Sequence, residues 1–163
     1  MHTHNGAEPA AQRAILPGWC RKLIEAEDLD QQTAETIFRS NGADRFAHHL
    51  LAYGVVSAWN VAHAMSMSFQ IPIVDLDAID EKSLPHTALD SAMCRSLQVV
   101  VLGQRSNRLT VGTIDPSDLE TAHGVRFMTR FELDWVVVEY DKLRELWGRR
   151  ALATGLGKNH GRR

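Results

Sequence analysis

Several features that mark secreted, membrane-spanning or metal-binding proteins are scarce in this sequence of 163 residues. Its two cysteines, Cys20 and Cys94, lie far apart and match neither a disulfide framework nor a zinc spacing, so we expect free thiols in a reducing compartment. No apolar run approaches the roughly 20 residues that a membrane helix needs. Residues 1–13 lack the apolar segment of a secretory signal. These absences predict a cytoplasmic protein without direct membrane insertion.

Charge and motif content exclude further classes of function. The chain carries 18 Lys and Arg against 20 Asp and Glu, a net charge of −2, so we expect no nucleic-acid partner. No G-x-x-x-x-G-K-[ST] phosphate loop is present, and the chain therefore lacks the groups that would hydrolyse ATP. The histidines 48, 49 and 63 have no H-E-x-x-H spacing, and the acidic run 75–81 lacks the glycine and closing glutamate of a calcium loop. We expect no catalytic residue, no metal and no cofactor.

Residues 14–70 carry the apolar pattern of four helices arranged as two hairpins. Gly54 is expected to close a helix in the left-handed conformation, Ser57 to cap the next helix, and Pro72 to end it. Asp30 can cap a helix in the same way in the first hairpin. Five residues of the first hairpin precede five of the second by 27 positions: Leu23, Glu27, Leu29, Ala34 and Phe38 against Leu50, Gly54, Val56, Val61 and Met65. A single hairpin cannot bury both faces, so the two are expected to stack.

Residues 71–148 have a different character, because β-branched runs alternate there with helical patterns. The predicted fold class is α+β, with a helical N-terminal subdomain of two stacked helical hairpins followed by a small α/β subdomain with a three-stranded sheet. Residues 1–13 are predicted to be a disordered arm and residues 149–163 a basic flexible tail. The elements predicted between them are an extended piece at 73–76, a helix centred within 80–97, strands at 98–103, 108–114 and 131–138, a helix at 118–129 carrying Leu119, Ala122 and Val125, and a last helix at 140–147.

Nearly all of the chain, from Leu16 to Trp147, resembles a known family. The most recognisable part is the stretch LQVVVLGQRSNRLTVGTIDPSDLETAHGVRFMT, the segment SFQIPIVDLDAIDEKSLP resembles that family's linker, and WCRKLIEAEDLDQQTAETIF resembles its opening helices. The chain is similar to the N-terminal regulatory domain of the type II secretion and type IV pilus extension ATPases, of the MshEN or GspE N-terminal type. The resemblance implies a non-catalytic adaptor that contacts protein components of an inner-membrane platform and is recruited to the inner membrane through them. It leaves open whether the chain is a standalone relative or a fragment of a longer ATPase.

In a subset of that family the domain binds cyclic di-GMP through two copies of a motif resembling R-L-G-x-x-L-x-x-x-G-x-L, each followed by a glutamine. The second copy falls here on Arg45, Phe46, Ala47, Leu50 and Gly54, which the resemblance implies as the ligand-binding residues. Phenylalanine replaces a leucine, alanine replaces the first glycine, and Ser68 stands at the glutamine position. The first copy has lost its arginine and both glycines. The alternative is a helical hairpin with a glycine C-cap and no ligand.

An adaptor also needs a surface for its partner, and the second hairpin offers one. Met65 is predicted to be core, whereas Trp59 and Met67 are predicted to be exposed on the last helix of this hairpin and to form a partner surface. Two hypotheses therefore follow from the sequence. One is an adaptor domain that acts by protein–protein contact, and the other is a cyclic di-GMP sensor that uses the hairpin from Arg45 to Gly54.

Overall fold

A computed structural model describes residues 14–85 and 89–158, so the predicted arm at 1–13 lies outside the described residues. The described chain is α+β, as predicted. Its elements in order are α1 (Gly18–Glu25), α2 (Gln31–Asn41), α3 (Phe46–Ala52), α4 (Ala58–Phe69), two 3-10 turns (Leu76–Ala78 and Glu81–Ser83), α5 (Ser91–Leu97), β1 (Val99–Arg105), β2 (Arg108–Thr113), α6 (Leu119–Met128), β3 (Glu132–Val137) and α7 (Tyr140–Lys158).

Each helical hairpin has a turn between its two helices. The two turns have the same backbone hydrogen bonds, at positions 27 residues apart in the sequence. Glu27 N–H donates to the Ile24 carbonyl at 3.0 Å, and Gly54 N–H donates to Leu51 at 3.0 Å. The next amides, Asp28 and Val55, reach back five residues to the carbonyls of Leu23 and Leu50. Glu27 and Gly54 both have positive φ, of 61° and 69°. The predicted repeat is therefore present in the backbone, including the left-handed position of Gly54.

The second helix of each hairpin begins at a side-chain cap. Asp30 accepts from the Thr33 amide at 2.8 Å, and Ser57 accepts from the Asn60 amide at 3.1 Å. Both caps satisfy an amide that has no partner within its helix, as the sequence predicts.

The two hairpins stack into a four-helix unit. In this unit α1 packs against α4, and α2 packs against α3. Aromatic rings fill the space between them. The Phe46 ring lies 5.7 Å from Trp19 and meets Phe38 edge to face at 5.1 Å between ring centroids. Leu50 and Met65 are fully buried beside these rings. The shared core explains why two short hairpins are stable together, since neither has enough apolar surface alone.

The sheet has the order β1-β2-β3, with β1 antiparallel and β3 parallel to the central strand β2. The antiparallel pair is the predicted hairpin, whereas the parallel pair is joined through α6. The segment after α4 also reaches the sheet, since Ile73 forms a parallel bridge with Val137. Val74 N–H donates to the Val137 carbonyl at 2.8 Å, and Val137 N–H donates to Pro72 at 2.9 Å. The predicted extended piece thus continues the sheet beyond β3.

Three local predictions are wrong. The last helix does not end at Trp147 but runs on through Gly148 to Lys158. The helix expected within 80–97 begins only at Ser91, after the two 3-10 turns. Leu119, expected on the apolar face of its helix, is 70% exposed, because the buried side of α6 is formed by Thr121 and Val125. The division of the chain into four segments stays a prediction.

Ion pairs tie the acidic segment 75–81 to α7. The Lys142 ammonium lies 2.9 Å from Asp75, 3.5 Å from Asp77 and 3.0 Å from Glu139. Hydrogen bonds to Asp75 and then Glu139 raise the pKa of Lys142, and the bond from Lys142 lowers the pKa of Asp75. Glu81 pairs with Arg149, which lies about two helical turns beyond Lys142 on α7. The acidic run therefore holds the last helix against the segment that joins the two halves.

Candidate functional site

The predicted ligand-binding segment lies at the start of α3, and most of its side chains face inward. Phe46, Ala47 and Leu50 are buried in the core of the four-helix unit. Arg45 has a left-handed backbone, with φ of 53°, and its side chain is half-buried. Gly54 is exposed with φ of 69°. Only Arg45 and the Gly54 backbone are thus open to a ligand, and the binding role of the five residues stays a prediction.

A cleft of about 510 Å³ lies where the N-terminus of α1 meets the C-terminus of α4. Gly18 begins α1 directly after Pro17, and no side chain caps its first amides. Such a helix N-terminus attracts anions. Arg21 and Lys22 also line the cleft and add positive charge, while Glu25 opposes it. The cleft can therefore accept an anionic group at its α1 side.

This cleft joins positions that are distant in the sequence. Gly18 stands at the arginine position of the first motif copy, and Ser68 at the glutamine position of the second. The Ser68 hydroxyl is buried, and within the described part of the chain it has no hydrogen-bond partner. Sequence reasoning weighed the two copies separately and missed this pairing. The signal was available, because stacked antiparallel hairpins place the start of the first beside the end of the second.

His48 lies on α3 at the junction of the two halves. Its ring meets Tyr140 of α7 edge to face, at 6.5 Å between centroids. Burial, and after it the nearby Arg45 guanidinium, lowers the pKa of His48 to about 4. Across residues 14–85 and 89–158, no group of three or more His, Cys, Asp or Glu side chains is placed to hold a metal ion.

The predicted partner residues occupy one exposed face of α4. Trp59 is 53% exposed and Met67 is 61% exposed, and His63 lies between them with its ring 6.1 Å from that of Trp59. These three residues are spaced by four, so they share one side of the helix. We call them the α4 face. The opposite side of α4 buries Val61, Ala62, Ala64 and Met65. The exposure is as predicted, and the partner role stays a prediction.

Comparison with known proteins matches residues 69–154 to the MshEN domain. Two similar curated relatives are both described as the type IV pilus assembly ATPase PilB. The Pseudomonas aeruginosa protein is 31% identical over 130 residues, and the Acinetobacter baylyi protein is 24% identical over 133 residues. The alignments cover 78% and 79% of this chain but 23% of each relative. The chain therefore spans about a quarter of the length of these ATPases.

Two solved structures share the fold. The N-terminal domain of XpsE superposes with a TM-score of 0.69 at 21% identity, covering 80% of this chain and 92% of that one. A structure of MshE with cdg superposes with a TM-score of 0.60 at 19% identity, covering 82% and 99% of the two chains. In the residues that the structure describes, no helix has the length and apolarity to cross a bilayer. The resemblance found in the sequence is confirmed, and the chain belongs to the MshEN domain family.

Proposed function

We propose that this chain is a non-catalytic adaptor domain of a type II secretion or type IV pilus machine, which contacts protein components of the inner-membrane platform. The observation that carries the proposal is the α4 face. Its helix contains no Asp, Glu, Lys or Arg, yet it presents Trp59 and Met67 to solvent. On this proposal the chain acts on the cytoplasmic side and is recruited to the inner membrane through its partners.

The chemistry of the α4 face fits a protein partner. Tryptophan and methionine are enriched at protein interfaces, where a buried Trp often supplies much of the binding energy. Met67 is flexible and polarisable and adapts to an irregular apolar surface. Because the helix lacks charge, the complementary surface is expected to be an apolar helix or strand rather than a charged one. The missing phosphate loop supports a role that leaves ATP hydrolysis to other parts of such machines.

Site-specific crosslinking in cells tests this proposal. A photoreactive amino acid at position 67 should crosslink to an integral inner-membrane component of the machine. Position 127 on α6 is the matched control, since Phe127 is 93% exposed and lies on another helix. Crosslinks to that component from position 67 and not from 127 would support the adaptor role. Equal crosslinks from both positions, or none to any platform component, would contradict it.

The affinity for the partner that the crosslink identifies can then be measured for variants of the α4 face. The double substitution of Trp59→Ala and Met67→Ala should weaken binding by at least about tenfold, which is typical for an interface anchor. Phe127→Ala should leave the affinity unchanged. The melting temperatures should stay close to that of the unchanged protein, because all three side chains are exposed.

A second candidate function is the binding of cyclic di-GMP, the cdg of the MshE structure. The specific observation that favours it is the cleft between α1 and α4, where the uncapped α1 N-terminus, Arg21 and Lys22 are suited to a phosphate. Glu25 in the same cleft and the lost first-copy arginine oppose it. The Arg45 guanidinium is the remaining group for stacking on a guanine base.

Calorimetric titration with cyclic di-GMP separates these possibilities. Binding that is lost in both Arg45→Ala and Arg21→Ala, and kept in the control Arg126→Ala, would support a sensor that uses the motif and the cleft together. Loss in Arg21→Ala alone would assign the ligand to the cleft and exclude Arg45 from it. No heat at high protein concentration would leave the adaptor role as the function of the domain.

A further inference from the structure

A second cleft, of about 310 Å³, lies between α5 and α7, in the half of the molecule that carries the sheet. Its lining consists of Arg95, Gln98, Leu143, Arg144, Trp147 and Gly148. None of these residues belongs to the α4 face or to the cleft at α1. Its volume is at the lower end of the range of small-molecule sites, about 300–1,000 Å³.

The charge in this cleft is positive and is not neutralised by the protein. Arg95 comes from α5 and Arg144 from α7, and within the described residues neither forms an ion pair with a carboxylate. The nearby acids are engaged elsewhere: Asp90 caps α5 by accepting from the Met93 amide, and Glu145 lies 4.0 Å from Arg149. A third cation, Arg150, lies over the Trp147 ring at 4.9 Å. The Arg144 guanidinium carbon also lies 5.3 Å from the centre of the Tyr140 ring, a contact that leaves its charge unneutralised. Two guanidinium groups from different helices are suited to an anion with several oxygens.

Gln98 adds a side-chain oxygen that lacks a hydrogen-bond donor among the described residues. It ends α5 in the left-handed conformation, with φ of 54°, and lines the cleft. Its side-chain oxygen is buried, and no described residue donates to it. A buried acceptor without a donor costs free energy, which a bound ligand would recover by donating a hydrogen bond. The neighbouring Trp147 cannot be that donor, because its indole N–H is bonded to the Val99 carbonyl at 3.2 Å.

Gly148 keeps the cleft open on the α7 side. It lies inside a helix of 19 residues, where glycine is less favourable than alanine. No packing contact demands it, since an added Cβ atom would meet no other atom within 4 Å. The missing side chain therefore leaves space for a group that approaches the helix from the cleft.

We propose that this cleft binds a small phosphomonoester that carries a neighbouring hydroxyl. The phosphoryl group, with close to two negative charges at neutral pH, lies between Arg95 and Arg144. The hydroxyl donates to the Gln98 oxygen. Leu143 and the edge of Trp147 provide the apolar wall. The phosphomonoester has two sources with the same chemistry, a soluble metabolite or the headgroup of a lysophosphatidic acid, whose glycerol keeps one free hydroxyl, and the experiment distinguishes them.

The test is a titration of the folded chain with glycerol 3-phosphate and, separately, with vesicles that contain lysophosphatidic acid. Arg95→Gln and Arg144→Gln should each lower the affinity for the bound probe by at least about tenfold, as expected for a charge-assisted pair. Arg126→Gln, an exposed arginine on α6, is the matched control and should bind as the unchanged chain does. Glycerol and acetate should not bind.

A substitution at Gly148 separates the site from the stability of the fold. Gly148→Leu has room for its Cβ and favours the helix, so its melting temperature should not fall, while its side chain occupies the cleft and lowers the affinity at least about tenfold. Loss in all three cleft variants supports the proposal, and the probe that binds identifies the source. Binding of neither probe, equal binding by Arg126→Gln and the cleft variants, or acetate binding as tight as glycerol 3-phosphate would overturn it.

Discussion

The first helical hairpin and the second have the same backbone but different surroundings. Both turn through a left-handed residue, and both begin their second helix at a side-chain cap. The first hairpin has Glu27 where the second has Gly54, and Arg21 stands 27 positions before His48. Within residues 14–85 and 89–158, the more extensive packing against the sheet half comes from the second hairpin, through α4 on α7 and β3 and through His48 on Tyr140. The same backbone repeat thus has two roles in the fold. The first hairpin is the outer one, and the second joins the helical half to the sheet half.

The largest expected effect comes from removing the equivalent core leucines, Leu23 and Leu50. Each substitution by alanine should lower the free energy of unfolding by about 2–5 kcal/mol, because both side chains are buried. Leu50→Ala should lower it more, since its hairpin packs on two sides. Urea denaturation of both variants measures the difference. A larger loss in Leu23→Ala would contradict the joining role of the second hairpin.

Acid should affect the second hairpin next most strongly. The folded pKa of His48 is about 4, below the ordinary 6.5, so the unfolded chain binds more protons between these values and stability falls as the pH falls through this window. Between pH 7 and pH 5 the loss attributed to His48 is on the order of 1–2 kcal/mol. Urea midpoints measured at both pH values should show that His48→Phe loses less stability between pH 7 and pH 5 than the unchanged chain does. Arg21→Ala, the matching change in the first hairpin, should keep the full loss.

The two turn residues should respond in opposite directions. Glu27→Gly should raise the free energy of unfolding by about 1 kcal/mol, because a side chain in the left-handed region is strained. Gly54→Ala should lower it by about 1 kcal/mol or more for the same reason. Thermal unfolding of the two variants gives the comparison. A stabilising Gly54→Ala would show that the positive φ of 69° is not maintained.

The smallest expected effects are at the caps. Ser57→Ala should lower the free energy of unfolding by about 1 kcal/mol at any moderate pH. Asp30→Ala should also destabilise the chain at neutral pH. Hydrogen bonds from Thr33 lower the pKa of Asp30, so this stabilisation is present above the ordinary pKa of 3.8 and is lost as the pH falls through the lowered value. Urea midpoints at pH 7 and below pH 4 measure both effects. The destabilisation caused by Asp30→Ala should become smaller at the lower pH, whereas that caused by Ser57→Ala should stay the same.

Local signals explain what the sequence could predict. Gly54, Ser57 and Asp30 act through their own backbone neighbours, so their roles follow from residue type and spacing. The β1–β2 hairpin follows from two β-branched runs and a short turn. The same reasoning placed Met65 in the core and Trp59 and Met67 at the surface, as the structure does.

The missed features depend on distant partners. Gly148 is a helix breaker by propensity, but α7 continues through it, and Arg149 beyond it pairs with Glu81. The cleft at α1 needs both hairpins, because Gly18 and Ser68 meet only when α1 packs on α4. Burial of Phe46 and Leu50 likewise depends on the stacking of the hairpins, so a motif comparison alone could not show it. Propensity is a local quantity and carries no information about such contacts.

The bridge between Ile73 and β3 has a mechanical consequence. The two bonds that join Pro72 and Val74 to Val137 run between parallel segments. A pull on the helical half along the strand axis would load both bonds together, in shear, whereas a pull across the sheet would open them one after the other. The junction should therefore be stiff in one direction and yielding in another, so that it transmits tension along the strand while permitting the hairpins to tilt.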